Sequence, residues 1–320
     1  LDEANVIVSL DCDFIGAEED AFFNIRRFTQ RRKIKSPGDS MNRLYAVEAL
    51  MSLTGANADH RLRVAPEAVA GVAARLALEI LRQRGHNELS AALTPLAEPA
   101  RAQEKWIVEC ANDLLKAENT GKGVVLAGYR QPLAVHLMAH AINVAFGSVG
   151  KAVVLQETPE SKEGTISELV QALNAGQVKT LVLLGGNPIY NAPADLDFAN
   201  TLGKAKPTVV RLGYYEDETF AVCDWHLPMA HYLESWGDAR TADGTAVPIQ
   251  PLIEPLFGGL TELEVLARIG GLEKSGPYDV TRETLRSLGA ESEDQWKKFL
   301  HDGFLAGSAA QLSGTAQFNW

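Results

Sequence analysis

Apolar residues come along this chain in short runs that alternate with stretches of helical period. Val6–Leu10, Leu44–Val47, Gly123–Ala127, Lys151–Leu155, Leu181–Leu184 and Val209–Leu212 are brief, Val- and Leu-rich and bounded by turn residues, which predicts buried strands. Between them, Asp20–Arg32, the Ala-rich Pro66–Arg84, Lys105–Lys116, Leu133–Phe146, Thr165–Ala175 and Asp195–Leu202 space their apolar residues as helices do. Strand and helix in alternation is the sequence form of a parallel sheet covered on both faces. The expected fold class is therefore α/β, with two Rossmann-like, doubly wound parallel-sheet lobes.

The Pro-containing polar stretch Leu93–Gln103 is expected to part the two lobes. The first lobe, residues 1–100, has about half as many predicted strands as the second and is expected to be incomplete, its upstream part missing. The second lobe, residues 101–275, reads as a complete Rossmann-like sheet. Residues 276–320 read as a helical tail or a linker to a downstream domain. The opening Leu-Asp-Glu, without an initiator Met, adds the expectation of an excised segment.

A pattern is stated twice. Val6–Ile15 (VIVSLDCDFI) and Leu181–Ile189 (LVLLGGNPI) are apolar runs ending in small or acidic residues, followed by acidic stretches with a Phe, Asp20–Phe23 and Asp195–Phe198. Next come the apolar runs Leu44–Val47 and Val209–Leu212, and then a shared Thr-x4-Asp-x2-Leu, Thr54/Asp59/Leu62 and Thr219/Asp224/Leu227. This is an internal duplication; it predicts two similar lobes facing one another, with a cleft suited to an extended ligand.

Composition narrows the chemistry. A net charge of −11 argues against a nucleic-acid or anionic-membrane surface, and the basic run Arg26–Lys35 reads as a solvated helix end. No apolar run approaches the roughly 18 residues of a membrane span. Cys12, Cys110 and Cys223 stand far apart with no C-x2-C spacing, so no cluster or zinc site is expected from neighbouring thiolates.

Ligands of parallel sheets bind at the carboxyl ends of the strands. Gly185, Gly186, Asn187 and Pro188 occupy such an end, forming either a tight turn or a loop that lets a phosphate approach the backbone. Arg130, after the Gly123–Ala127 strand, suits a phosphate, a carboxylate or a salt bridge. Asp217, Glu218 and Thr219 follow the Val209–Leu212 strand and either accept from ribose or purine groups or cap the next helix. His136 and His140 share a helix face but lack an acidic third ligand, so packing roles are expected and no metal ligands are assigned. His226 and His231, in a loop with Glu234 and Trp236, read as candidates for an interface with a partner. No Ser/His/Asp or Cys/His arrangement emerges, and no catalytic residue is assigned.

At these residues the chain resembles the molybdopterin oxidoreductase superfamily of formate dehydrogenases, nitrate reductases and dimethyl sulfoxide reductase. A G-x-N-P, an E-T, an A-D-x-x-L-P and an E-x-x-G recur there in the order in which Gly185–Pro188, Glu218–Thr219, Cys223–Pro228 and Glu234–Gly237 stand here. The resemblance implies lobes like domains II and III of the formate dehydrogenase and dimethyl sulfoxide reductase fold. MNRLYAVEALMSLTGANADHRL (Met41–Leu62), AGYRQPLAVHLMAHAIN (Ala127–Asn143), LGGNPIYNAPADLDFA (Leu184–Ala199) and YEDETFAVCDWHLPMAHYLESWGDAR (Tyr215–Arg240) further resemble the corresponding part of the large iron–sulfur B subunits of bacterial alternative complex III, a quinol-oxidising respiratory assembly.

The superfamily's Asp-Pro-Arg and Pro-Gly-Thr-Asp are here Val47-Glu48-Ala49 and Ala65-Pro66-Glu67-Ala68, which removes a phosphate partner and a backbone approach. The expectation that follows is a non-catalytic scaffold without cofactor in this segment. The alternative is an active molybdenum or tungsten enzyme carrying a bis(pterin guanine dinucleotide). The resemblance further implies haem-containing and quinol-binding subunits as partners, iron–sulfur clusters only in a downstream domain, no nucleic acid, and a place in a complex on the periplasmic side of the inner membrane without insertion.

Overall fold

The computed structural model describes residues 1–156 and 162–313. The chain forms two compact units, residues 1–157 with 311–320, and residues 158–310. Each carries a parallel sheet with helices, so the fold is α/β.

The first unit runs β1 (Val6–Leu10), α1 (Ala21–Gln30), β2 (Arg43–Glu48), α2 (Leu53–Ala56), β3 (His60–Arg63), α3 (Val69–Gln83), α4 (Ser90–Ala97), α5 (Glu104–Leu115), β4 (Gly123–Ala127), α6 (Leu133–Ala145) and the two-residue β5 (Leu155–Gln156). Its sheet has the order β3-β2-β1-β4, parallel throughout. Strand β1 is buried at every position because both faces are covered, which suits its four apolar residues, while the Ser9 hydroxyl is satisfied by the Cys12 backbone. Val6, Val8 and Leu10 join Tyr45 and Val47 against α3, α5 and α6, while Ile7 and Leu44 meet Phe14 and Phe28 on the other face. Helix α3 buries Val69, Val72, Ala73, Leu76 and Ile80 at helical spacing. At Gly71 an added Cβ would stand 3.3 Å from the Leu96 carbonyl oxygen, so the glycine sets how closely α4 approaches.

Here the structure departs from the sequence-based expectation. β4 pairs with β1, Val6 opposite Gly123 through Leu10 opposite Ala127, so residues beyond 100 complete the first unit. Its sheet has four strands, and the second unit's parallel sheet has three. Hydrophobic runs identify strands but carry no information on which edge a distant strand will cover. The supposed spacer Leu93–Gln103 is the end of α4 followed by a 3-10 turn, Glu98–Gln103, and α4 packs on α3. The run Lys151–Leu155 does not enter the parallel sheet; only Leu155–Gln156 forms a strand.

The second unit comprises α7 (Ile166–Asn174), β6 (Thr180–Leu184), α8 (Pro188–Asn191), α9 (Phe198–Ala205), β7 (Thr208–Gly213), β8 (Trp225–Pro228), β9 (Gly237–Arg240), β10 (Ala246–Ile249), α10 (Glu262–Ile269), α11 (Pro277–Ser287) and α12 (Glu293–Asp302). β6-β7-β8 form a parallel sheet over a core of Leu173, Leu181, Phe198, Leu202 and Val209, and β9-β10 form an antiparallel ribbon. Residues 276–310 are no free tail: Trp296 and Phe299 of α12 build a core with Leu285, on which Trp236 packs. Strand β11 (Leu312–Ser313) returns to pair with β5 of the first unit. Residues 314–320 of the expected tail lie outside the described residues.

Candidate functional site: two equivalent strand-end loops

The duplication extends to single hydrogen bonds. At the end of β6 the Gly185 N–H donates to the Leu212 carbonyl at 2.8 Å, and at the end of β1 the Asp11 N–H donates to Val47 at 2.7 Å. Both residues sit in the left-handed region, φ 67° for Gly185 and 53° for Asp11. Thr219, fully buried, donates to Asn187 Oδ1 at 2.6 Å and accepts from the Ile189 N–H at 3.2 Å. Thr54, equally buried, donates to Asp13 Oδ1 at 2.8 Å and accepts from the Ile15 N–H at 3.1 Å. Asp224 Oδ2 accepts from the Val209 N–H, and Asp59 Oδ2 from the Leu44 N–H, each at 2.7 Å. The threonine of the repeated signature thus ties the first strand-end loop to the second, and its aspartate caps the start of the second strand.

In the second unit this network uses most of the polar side chains that read as ligand contacts. Arg211 is buried in β7, where it donates to both Asp217 oxygens, to the Gly186 carbonyl at 2.7 Å and to the Tyr215 carbonyl at 3.3 Å. The guanidinium holds the Asp217 carboxyl below the usual range, helped by the N–H groups of Phe220 and Thr219 and opposed by burial. Asn187 Nδ2 donates to Glu218 Oε2 at 2.7 Å, and this bond lowers the Glu218 pKa. Pro188 opens α8 at a position where its missing N–H costs nothing. Gly186 differs: at φ 70° an added Cβ would meet no atom within 4 Å, so this backbone faces open space. The loop fits close approach of a ligand at Gly186, while its exposed Glu218 carboxylate is already engaged by Asn187.

The first unit presents other chemistry at its strand ends. Glu48, at the end of β2, is buried and accepts from Arg61 Nε at 2.5 Å and from the Ser52 hydroxyl at 2.6 Å. Asp11, Asp13 and Glu18 line the loop after β1; burial, then Asp13 and Asp11, pushes the Glu18 carboxyl up. Burial and the same three carboxylates raise the Cys12 thiol to about 12. Between β1 and β4, where the strand order reverses, an added Cβ on Gly128 would lie 1.9 Å from the Asp11 carbonyl oxygen, and Gln131 Nε2 donates to Asp11 Oδ2 at 2.9 Å. The crevice that parallel sheets use for phosphates is therefore closed by backbone and lined with carboxylates. Arg130 does not offset them from within: it is exposed, its Nε donating to the Tyr129 hydroxyl at 2.6 Å. This end does not fit an anionic dinucleotide.

The interface candidates separate. His226 lies in β8, register partner of Arg211, and not in a loop; it is half-buried and meets Phe220 edge to face at 5.1 Å. His231 caps the turn Tyr232–Glu234, accepting from the Leu233 N–H at 3.3 Å, while Glu234 accepts from the N–H groups of His231 at 2.9 Å and Leu256 at 3.1 Å. Trp236 packs against Tyr278 and Trp296, with ring centroids 5.1 and 6.0 Å away. Trp225 and Tyr232, about two-thirds exposed, leave aromatic surface to solvent here, as do Tyr214, which meets His231 at 5.9 Å, and Tyr215. Among the described residues no group of three His, Cys, Asp or Glu is arranged to hold a metal ion. Sequence reasoning passed over Arg211, although an arginine inside the apolar run Val209–Leu212 is itself the signal of a buried ion pair.

The sequence matches the model of the family described as molybdopterin oxidoreductase over residues 27–271. Among solved structures the chain is similar to acetylene hydratase from Pelobacter acetylenicus, with a TM-score of 0.54 and 15% identity over 86% of this chain and 48% of that one. The chain thus spans about half the length of that structure, and at this identity the likeness is one of fold. No curated protein matches.

Proposed function

This chain belongs to the molybdopterin oxidoreductase family, and on that premise we propose that it is a non-catalytic scaffold domain that holds no molybdenum cofactor. One observation carries the reading. The strand ends of the first unit place Asp11, Asp13 and Glu18 where an anionic dinucleotide needs cations, and Asp11 backbone fills the approach at Gly128. The signature residues Asn187, Asp217 and Thr219 still have work to do without a ligand, because they lock one loop to the next. Fold motifs then persist for structural reasons while function moves elsewhere.

The motif resemblance supports a finer statement: a domain of a large iron–sulfur subunit of the alternative complex III type, on the periplasmic side of the inner membrane, positioning clusters of a downstream domain against haem-containing and quinol-binding subunits. Trp225 and Tyr232 are its exposed aromatic anchors. No helix among the described residues is long and apolar enough to cross a membrane.

A second reading is favoured by Gly186 alone. In an active molybdenum or tungsten enzyme, the open backbone at Gly186, with Glu218 nearby, would hold one end of a pterin guanine dinucleotide. The deciding experiment measures molybdenum, tungsten and acid-released guanine nucleotide in the natively purified parent protein. Absence of all three is expected; stoichiometric metal with nucleotide overturns the scaffold reading and establishes the second.

A further inference from the structure

A cavity of about 690 Å³ opens on the first unit beside the first residues of β2 and β3, the opposite end of the sheet from the loops described above. Its volume falls within the range of small-molecule sites. Tyr45 and His60 are register partners on β2 and the edge strand β3, and their rings stack at 4.7 Å and 25°. Trp106 of α5 meets Tyr45 edge-on at 5.5 Å. Tyr45 is buried, whereas His60 is exposed and Trp106 half-buried, so the cavity has an aromatic wall that reaches its mouth.

Its charges are arranged by an internal counter-ion. Asp113, only 5% exposed, accepts from Arg43 Nη1, from the Tyr45 hydroxyl at 3.1 Å and from Lys116 Nζ at 2.7 Å. Burial pushes its carboxyl up, but the bonds from Arg43, Lys116 and Tyr45 outweigh burial and keep it ionised. Arg43 commits one terminal nitrogen to Asp113, and its side chain lines the cavity 45% exposed. Lys105 is exposed on the same wall. Three cations, Arg43, Lys105 and Lys116, thus stand against two carboxylates, Glu109 and Asp113, in a chain whose net charge is −11.

We propose that this cavity binds a small anion bearing a flat aromatic or heteroaromatic ring, of nucleoside monophosphate size, with the ring against His60 and Trp106 and the anion on Arg43 and Lys105. Rings stack on aromatic faces with little regard to their substituents, and an oriented guanidinium suits a phosphate or carboxylate. The inference is independent of the scaffold reading, because no residue of the strand-end loops takes part.

Equilibrium dialysis of the 320-residue chain against labelled adenosine monophosphate tests it, with adenosine and inorganic phosphate as competing probes. Saturable one-to-one binding of the monophosphate is expected, with each fragment binding at least roughly tenfold more weakly. Lys105→Gln and Trp106→Leu are each expected to weaken binding about fivefold or more. Lys105 is exposed, so its variant keeps the test readable should Trp106→Leu not fold. No saturable binding, phosphate binding as tightly as the monophosphate, or an affinity unchanged in Lys105→Gln overturns the proposal.

Discussion

Replacing Thr219 with valine keeps the shape of a fully buried side chain and deletes one hydroxyl. Two bonds go: the one donated to Asn187 Oδ1 at 2.6 Å and the one accepted from the Ile189 N–H at 3.2 Å. A lost intramolecular hydrogen bond costs about 1 kcal/mol net, and a buried donor left without a partner adds about 1–3 kcal/mol. Asn187 is half-buried and recovers water, so most of the penalty falls on the Ile189 N–H; a loss of about 2–3 kcal/mol is expected. Thr54→Val is the internal control. It deletes the same pair of bonds and orphans the Ile15 N–H in the same way, while Asp13 keeps the Thr54 N–H at 2.9 Å and the Ala17 N–H at 3.1 Å, so a loss of about 2–3 kcal/mol, confined to the first unit, is expected. Amide hydrogen exchange with peptide resolution reads each unit separately, which a single melting curve of a two-unit chain does not. Thr219→Val should speed exchange of β6 and β7 amides by roughly thirty- to a hundred-and-sixtyfold and leave β1 and β2 unchanged. Exchange within about twofold of the parent in the unit that carries either substitution would refute the view that the repeated threonine locks the loops.

Three further outcomes follow from the same geometry. Gly128→Ala should cost roughly 3 kcal/mol or more in urea unfolding because its Cβ would stand 1.9 Å from backbone at Asp11, whereas Gly186→Ala, in open space at φ 70°, should cost only about 1–2 kcal/mol of left-handed strain; equal costs would contradict this. Asp59 is pushed up by burial but held lower overall by Arg32 and the Leu44 N–H; a carboxyl lowered on folding contributes stability above its unfolded pKa that is lost as pH falls through the folded value, so Asp59→Asn should flatten the acid limb of the first unit's stability curve, and an unchanged limb argues against it. Cys12 and Cys110, buried and shifted up, should resist iodoacetamide at pH 8 until urea opens the first unit; rapid alkylation of the folded chain would show their surroundings to be misjudged.

Five strands of the parallel sheets, the α/β class and the duplication are legible in the apolar pattern, whereas β3 and β8, short and exposed at both ends, are not. Short, Val-rich runs such as Val6–Leu10, bounded by turn residues, suit a strand covered on both faces, and Thr-x4-Asp-x2-Leu repeats because an equivalent loop is tied to an equivalent strand in each unit. The family was legible for the same reason, its motifs being turns and ties that any copy of this loop geometry needs. Which strand lies beside which is fixed only when the core assembles. That β4 completes the first sheet, and that Trp296 draws residues beyond 275 into the second unit, follow from which apolar edge is left uncovered, a property of the assembled core. The candidate site was half visible: Gly185–Pro188 and Asp217–Thr219 stood out, but that their polar atoms are spent on one another depends on Arg211, whose partners lie six residues ahead in the chain and twenty-five behind. Hydrogen bonds between loops carry no periodicity, so their pairing emerges only when the strands bring the loops together.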